Sequence, residues 1–213
     1  MTTRPRVLLA DDHALLLEAF SRMLSATCDV VGTVADGRVL LELAPRLKPD
    51  VIVLDIRMPL LNGIDAYRLL KPKLPRTKWI FLTVSEDPEL AREAFRIGAA
   101  AFLLKGSAAS ELFTAIEKAM KGQRYVTPLL TKGLPDGVFL NKPARAHAAD
   151  LTDRQREVLQ LLAEGRTMKE TADILHVTTR TVAFHKYAIM KRLGVTTGAE
   201  LVQYAVKHGL VGI

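Results

Sequence analysis

The chain has 213 residues, 49% of them hydrophobic and 25% charged, with a formal net charge of +7. This balance excludes a disordered chain and leaves room for two ordinary domains. No apolar run approaches the ~20 residues that span a bilayer, and Cys28, the only cysteine, excludes an intramolecular disulfide or a thiolate metal site.

Met1 to Arg6 lead straight into an apolar run with no secretory leader, so a cytoplasmic protein without membrane attachment is expected. Over the first 120 residues short apolar runs alternate with amphipathic stretches. Strands are predicted over 6–11, 29–34, 51–55, 79–83 and 101–105, and helices over 13–25, 37–47, 63–73, 87–97 and 109–121. The alternation predicts a parallel sheet covered by helices on both faces. Helix starts are marked by Asp87 before Pro88 and by the Asn62-Gly63 turn.

Gly122, Pro128, Gly133, Pro135, Gly137 and Pro143 interrupt the next stretch, where no period survives. It reads as a linker with one short packed piece around Leu129-Leu130. From 151 the pattern is helical throughout. Thr152-x-x-Gln155 and Thr167-x-x-Glu170 are capping boxes, Thr178 N-caps a third helix that stops at Gly194, and a fourth runs from about Ala199 to Lys207. Two short helices joined by His176-Val177-Thr178 outline a helix-turn-helix. Residues 1–120 carry 16 basic and 15 acidic side chains, 121–150 carry 5 and 2, and 151–213 carry 9 and 6. Most of the excess positive charge therefore lies in the C-terminal part, as a polyanion partner would require, although a solvated basic surface explains so modest an excess nearly as well.

Four of the predicted strands end on polar groups. Val7 to Ala10 run into Asp11-Asp12, Val51 to Leu54 into Asp55, Ile80 to Leu82 into Thr83, and Ala101 to Leu104 into Lys105. Ligands of open parallel sheets bind at the carboxyl ends of the strands. Three carboxylates, a hydroxyl and an ammonium would meet there. Hard oxygen donors suit Mg²⁺ rather than Zn²⁺. A carboxylate can attack phosphorus to form an acyl phosphate, with a lysine and a hydroxyl neutralising the transferred oxygens. Singly, Asp12 reads as a helix cap, Thr83 as a strand terminator and Lys105 as a surface lysine. Asp55 resists such a reading, because an unpaired charge on a central strand is costly.

Residues 5–121 resemble a response-regulator receiver domain. The resemblance rests on Asp11-Asp12-His13, Asp55-x-x-Met58-Pro59-x-x-Asn62-Gly63, Leu82-Thr83 and Gly98-Ala99-x-x-Phe102-Leu103-Leu104-Lys105. It implies that Asp55 accepts phosphate, that Asp11, Asp12 and Asp55 hold Mg²⁺, that Thr83 and Lys105 contact the phosphoryl group, and that Phe102 swings inward on activation. Gly106 stands where many receivers have proline, so a cis peptide is not assumed there. Arg57 and Ser85 occupy two positions that vary in the family and bear on phosphoryl lifetime.

Residues 150–213 resemble the LuxR-type helix-turn-helix of the NarL/FixJ regulators. Here the motifs are Leu151-Thr152-x-Arg154-x-x-Glu157-Val158-Leu159, Lys169-Glu170-x-Ala172, Thr181-Val182-x-x-His185 and Lys191-x-Leu193-Gly194-Val195. Val182, Ile189 and Leu193 share the inward side of the third helix. By resemblance, Ala183, Phe184 and Tyr187 face base edges, while Thr179, Thr181, Lys186, Lys191 and Arg192 are placed for phosphates. Ala183 and Phe184 replace a lysine-valine pair of some members and offer methyl and ring contacts but no fork to guanine. Burial of Phe184 against a partner helix is the alternative.

The expected molecule is α/β in its first part: a five-stranded parallel doubly wound, flavodoxin-like receiver over 1–121, then a linker over 122–149. A smaller all-α four-helix helix-turn-helix domain follows over 150–213. The expected function is a transcription factor of a two-component system, not an enzyme. A histidine kinase would phosphorylate it on Asp55, and it would bind double-stranded DNA as a homodimer. The last two receiver strands and last receiver helix are expected to carry the dimer or the contact with the C-terminal domain. A haloacid-dehalogenase-type phosphatase would need a carboxylate two residues after the nucleophile, where Arg57 stands. A DNA-binding protein with a merely structural receiver is the other alternative, disfavoured by the complete set Asp11, Asp12, Asp55, Thr83 and Lys105.

Overall fold

The computed structural model describes residues 4–132 and 151–211. The first part alternates β1 (Arg6–Ala10), α1 (Ala14–Leu24), β2 (Asp29–Val34), α2 (Gly37–Leu47), β3 (Val51–Asp55), α3 (Gly63–Leu70), β4 (Lys78–Thr83), α4 (Pro88–Ile97), β5 (Ala101–Leu104) and α5 (Ala108–Met120). A short strand β6 (Tyr125–Val126) and one helical turn α6 (Pro128–Thr131) follow. All sheet pairings are parallel, in the order β2-β1-β3-β4-β5-β6. The chain winds outward from β1 in both directions, so the crevice between β1 and β3 is the switch point of the sheet.

The two-residue alternation of each strand sorts its side chains onto opposite faces. Leu8, Ile52, Leu54, Phe81 and Phe102 face α2, α3 and α4, whereas Leu9, Val53, Ile80 and Leu103 face α1 and α5. Each fully buried side chain of this kind contributes roughly 1.5–3 kcal/mol. Close packing around β3 needs glycine: a Cβ on Gly63 would sit 2.1 Å from the Asp55 carbonyl oxygen, and one on Gly37 2.0 Å from that of Leu61. The loop between β3 and α3 is thereby pressed against the starts of α2 and α3.

The sheet has six strands rather than the five expected. Val126 pairs with Phe102, the Thr127 N–H donates to the Phe102 carbonyl at 3.0 Å, and the Thr127 hydroxyl accepts from the Leu104 N–H at 3.0 Å. Leu130 inserts into the core beside Phe102, while Leu129 is exposed. Residues 125–131 thus extend the first unit into the stretch expected to be linker. Its remainder, 133–149, lies outside the described residues.

The second part contains α7 (Asp153–Ala163), α8 (Met168–Leu175), α9 (Thr179–Leu193) and α10 (Gly198–Lys207). Both predicted capping boxes form, and a third, Thr197 with Glu200, starts α10. His176 takes a left-handed conformation (φ 52°) and turns the chain between α8 and α9. Val158, Leu159, Leu161, Val182 and Ile189 form a separate small core. Among the described residues no helix is long and apolar enough to cross a membrane, and there is no cis peptide.

Candidate functional site

The predicted strand ends converge. Asp11 follows β1 and Asp55 closes β3, the two strands flanking the switch point, and both are buried. Lys105, just beyond β5, reaches across the sheet edge and places its ammonium 2.8 Å from Asp55 Oδ2 and 2.9 Å from Asp11 Oδ1. The lysine side chain is only 8% exposed, which rules out the surface-lysine reading. Asp12 and His13 stand at the mouth, His13 Nδ1 lying 2.8 Å from Asp12 and 3.0 Å from Asp11. Asp12 does not cap α1; His13 occupies the N-cap position, and its N–H donates to Asp11 Oδ1. Thr83 is buried at the end of β4, its hydroxyl accepting from the Ser85 N–H at 3.0 Å. Phe102 is fully buried on β5.

The electrostatics of this cluster are unbalanced. Burial pushes the Asp55 carboxyl from 3.8 up to about 6, although the hydrogen bond and charge of Lys105 pull it down; the neighbouring Asp11 adds to the rise. Burial by itself would lower the Lys105 ammonium, but its hydrogen bonds to Asp11 and Asp55 outweigh this and hold it above the usual lysine value. One ammonium therefore does not fully offset two buried carboxylates. Asp11 Oδ2 has the ammonium 2.8 Å away but receives no directed hydrogen bond. Ligand atoms of Asp11, Asp12, His13 and Asp55 lie within 4.8 Å of one another. A mainly oxygen donor set with surplus negative charge fits a hard divalent cation. His13, next to Asp11-Asp12 in the sequence, joins the three expected aspartates in this cluster.

The second unit docks beside this pocket. Gln160 of α7 donates to the Met58 carbonyl at 3.0 Å and accepts from the Asn62 N–H at 2.7 Å. Arg156 Nε donates to Asp65 at 2.7 Å, Glu157 pairs with Arg38 at 2.5 Å, and Glu164 accepts from the Leu60 N–H at 3.0 Å. The contact thus uses the β3–α3 loop, α2 and α3, not the expected surface of the last two strands and α5. There β6 is paired to β5 and itself forms the edge of the sheet. These α7 residues went unrecognised in the sequence. The signal was Gln160, a polar residue interrupting the run Val158-Leu159-x-Leu161-Leu162, now 1% exposed.

On α9, Val182 and Ile189 are fully buried, and Leu193 packs at the margin of the same core. Phe184 and Tyr187 are 70% and 64% exposed on the other side, so no other helix of the described residues buries Phe184. Thr179, Lys191 and Arg192 are exposed, while Thr181, Ala183 and Lys186 are half-buried. One face of α9 therefore combines two rings with hydroxyls and cations and remains uncovered while the two units are docked.

Residues 7–117 match the response regulator receiver domain, and residues 149–205 match the bacterial regulatory proteins of the luxR family. This chain is a response regulator of the NarL/FixJ type. The transcriptional regulatory protein MctR of Rhizobium johnstonii is 34% identical over 99% of this chain and 98% of its own length. The oxygen regulatory protein NreC of Staphylococcus aureus is 36% identical over 97% of this chain and 99% of its own. The RcsB response regulator of Salmonella typhimurium, solved in a study of its conformational dynamism for DNA interaction, superposes with a TM-score of 0.64 at 25% identity, covering 97% of this chain and 99% of RcsB. The response regulator is accordingly a DNA-binding transcription regulator of a two-component system and not an enzyme.

Proposed function

We propose that this response regulator takes its phosphoryl group on Asp55, from a phosphohistidine of a partner kinase. The observation that carries this is the Asp55 carboxylate, buried at the switch point of the sheet and sharing the Lys105 ammonium with Asp11 at 2.8–2.9 Å. One Asp55 oxygen attacks phosphorus; the carboxyl O–P bond forms as the N–P bond breaks, and the imidazole leaves with the bonding pair. Asp11, Asp12 and Asp55 would hold Mg²⁺, with His13 beside them. Mg²⁺ supplies charge neutralisation of the phosphoryl oxygens. Lys105, already aimed at Asp55, neutralises a further oxygen. The Thr83 hydroxyl leaves the Ser85 N–H and donates to the phosphoryl group; Phe102 is already fully buried here, so its response is a repacking within the core rather than a swing inward from the surface.

On DNA, Ala183, Phe184 and Tyr187 would meet base edges in the major groove, with Thr179, Thr181, Lys186, Lys191 and Arg192 on phosphates. One helix reads a short half-site, so a homodimer on half-sites about one helical turn apart follows. Acting on DNA, it would work in the cytoplasm. The test is incubation with acetyl phosphate and Mg²⁺, which should add one acid- and base-labile phosphoryl group, lost in Asp55→Asn and in EDTA. Label that persists in Asp55→Asn sinks the assignment.

A further inference from the structure

The phospho-acceptor pocket is not closed by the receiver alone. Around Asp55, Lys105 and Asp12 opens a cleft of about 420 Å³ whose far side is made by Glu164 at the end of α7 and by Leu210 and Val211 beyond α10. The second unit therefore supplies a wall of the chamber in which phosphoryl transfer takes place. Glu164 is the charged side chain of that wall. Its carboxylate is held in place by the Leu60 N–H and by Gln160 Nε2, 2.7 Å away. Leu60 itself carries a left-handed backbone (φ 65°) and packs its side chain against the core of the second unit. Such a conformation is unfavourable for leucine and persists where surrounding contacts impose it.

The grip is concentrated on the residues that follow Asp55. Met58, Leu60, Asn62 and Asp65 are all held by α7. By contrast, the reading face of α9 stays exposed in the docked state. Docking thus covers the phosphorylation site and leaves the DNA-facing helix open.

We propose that Glu164 is an electrostatic gate residue for phosphorylation, carried on a wall that the helix-turn-helix unit lends to the phosphoryl chamber. An anion fixed in the wall opposes an incoming phosphoryl dianion, and the opposition is effective because the partly enclosed cleft screens it less than open water does. By linkage, whatever docking takes from phosphoryl binding, the phosphoryl group takes from docking. The proposal rests on Asp55 being the acceptor.

The test uses the full chain with Mg²⁺ and two donors of different charge, acetyl phosphate as a dianion and phosphoramidate at lower net charge. Glu164→Gln keeps an oxygen for the Leu60 N–H and removes the charge. It should label about fivefold faster than wild type with acetyl phosphate and gain clearly less with phosphoramidate. Gln160→Ala loosens the wall and releases Glu164 with it, and should speed both donors, acetyl phosphate the more. Equal rates in wild type and Glu164→Gln overturn the gate. So does a Glu164→Gln gain that is the same for both donors, since a charge barrier must distinguish them. An unchanged rate in Gln160→Ala removes the wall. Absence of Mg²⁺-dependent label on Asp55 in every variant overturns the underlying assignment, and the gate with it.

Discussion

At the strand ends, Asp11, Asp55 and Lys105 come from three different strands and keep side chains only 2–8% exposed. On α9, Phe184 and Tyr187 stand on one helix and are 64–70% exposed. The two regions relate oppositely to stability. Collecting like charges in a buried pocket opposes folding, and the sheet around it must outweigh that opposition. Exposed rings on a helix whose other side is anchored by Val182 and Ile189 ask nothing of the fold. A pocket change should therefore register in stability as well as chemistry, and a reading-face change in DNA binding alone.

The strongest way to break this comparison is Lys105→Met. It leaves Asp11 and Asp55 buried without their ammonium and should lower stability by about 3–5 kcal/mol at pH 7.5. Millimolar Mg²⁺ should restore much of the loss. Urea denaturation with and without the cation measures both. Unaltered stability of Lys105→Met in EDTA would show that the pocket is not an electrostatic liability.

A smaller effect of opposite sign is expected for Asp55→Asn. The folded protein holds the Asp55 carboxyl at about 6 against a reference of 3.8, so its ionised form disfavours folding. The penalty is full above pH 6 and fades as pH falls from there towards 3.8. Two pH units correspond to about 3 kcal/mol as an upper bound. Without Mg²⁺, Asp55→Asn should therefore be more stable than wild type at pH 8, and the two should converge near pH 4. A difference that grows on acidification contradicts the raised pKa.

Much of this was legible because strands announce themselves by an apolar run and an abrupt polar end. Asp55, Thr83 and Lys105 each close such a run, and the helix boundaries followed from caps such as Asp87, Thr152 and Thr167. The sixth strand was not legible. Tyr125-Val126 is too short to show a period, and its place depends on Thr127 bonding Leu104 and Glu111, partners 23 and 16 residues away. The docking face of α7 was hidden for a related reason. Arg156, Glu157 and Gln160 are polar residues that become buried only when a second unit meets them, and a helical pattern read by itself assigns them to solvent.

On the reading face the comparison sharpens with Phe184→Ala. Removing an exposed ring should change folding stability by no more than about 0.5 kcal/mol. Loss of its contact with a base should weaken operator binding by about 1–3 kcal/mol. Val182→Ala, on the buried side of the same helix, should do the reverse and destabilise the fold by about 1 kcal/mol or more. Thermal denaturation paired with DNA titration at one fixed salt concentration separates the two. Destabilisation by Phe184→Ala would mean that the ring has a packing role.

The smallest expected effect belongs to Arg57, which lies between the two kinds of region. It is exposed, like the α9 rings, yet its N–H donates to Asp55 Oδ1 at 3.2 Å and it borders the phosphoryl cleft. It also borders a second cleft of about 200 Å³ together with Asp87, Glu89 and Glu93 at and along α4. A phosphoryl dianion on Asp55 attracts the exposed Arg57 guanidinium, and a guanidinium drawn over the acyl phosphate stands in the path of the attacking water. Arg57→Ala should leave stability and labelling nearly unchanged and speed the decay of the acyl phosphate by about two- to fivefold, a barrier change under about 1 kcal/mol. The measurement is the loss of labelled protein with time after the donor is removed, in constant Mg²⁺. A decay rate equal to that of wild type would make Arg57 a surface arginine, and phosphoryl lifetime would then depend on the rest of the cleft, Glu164 included.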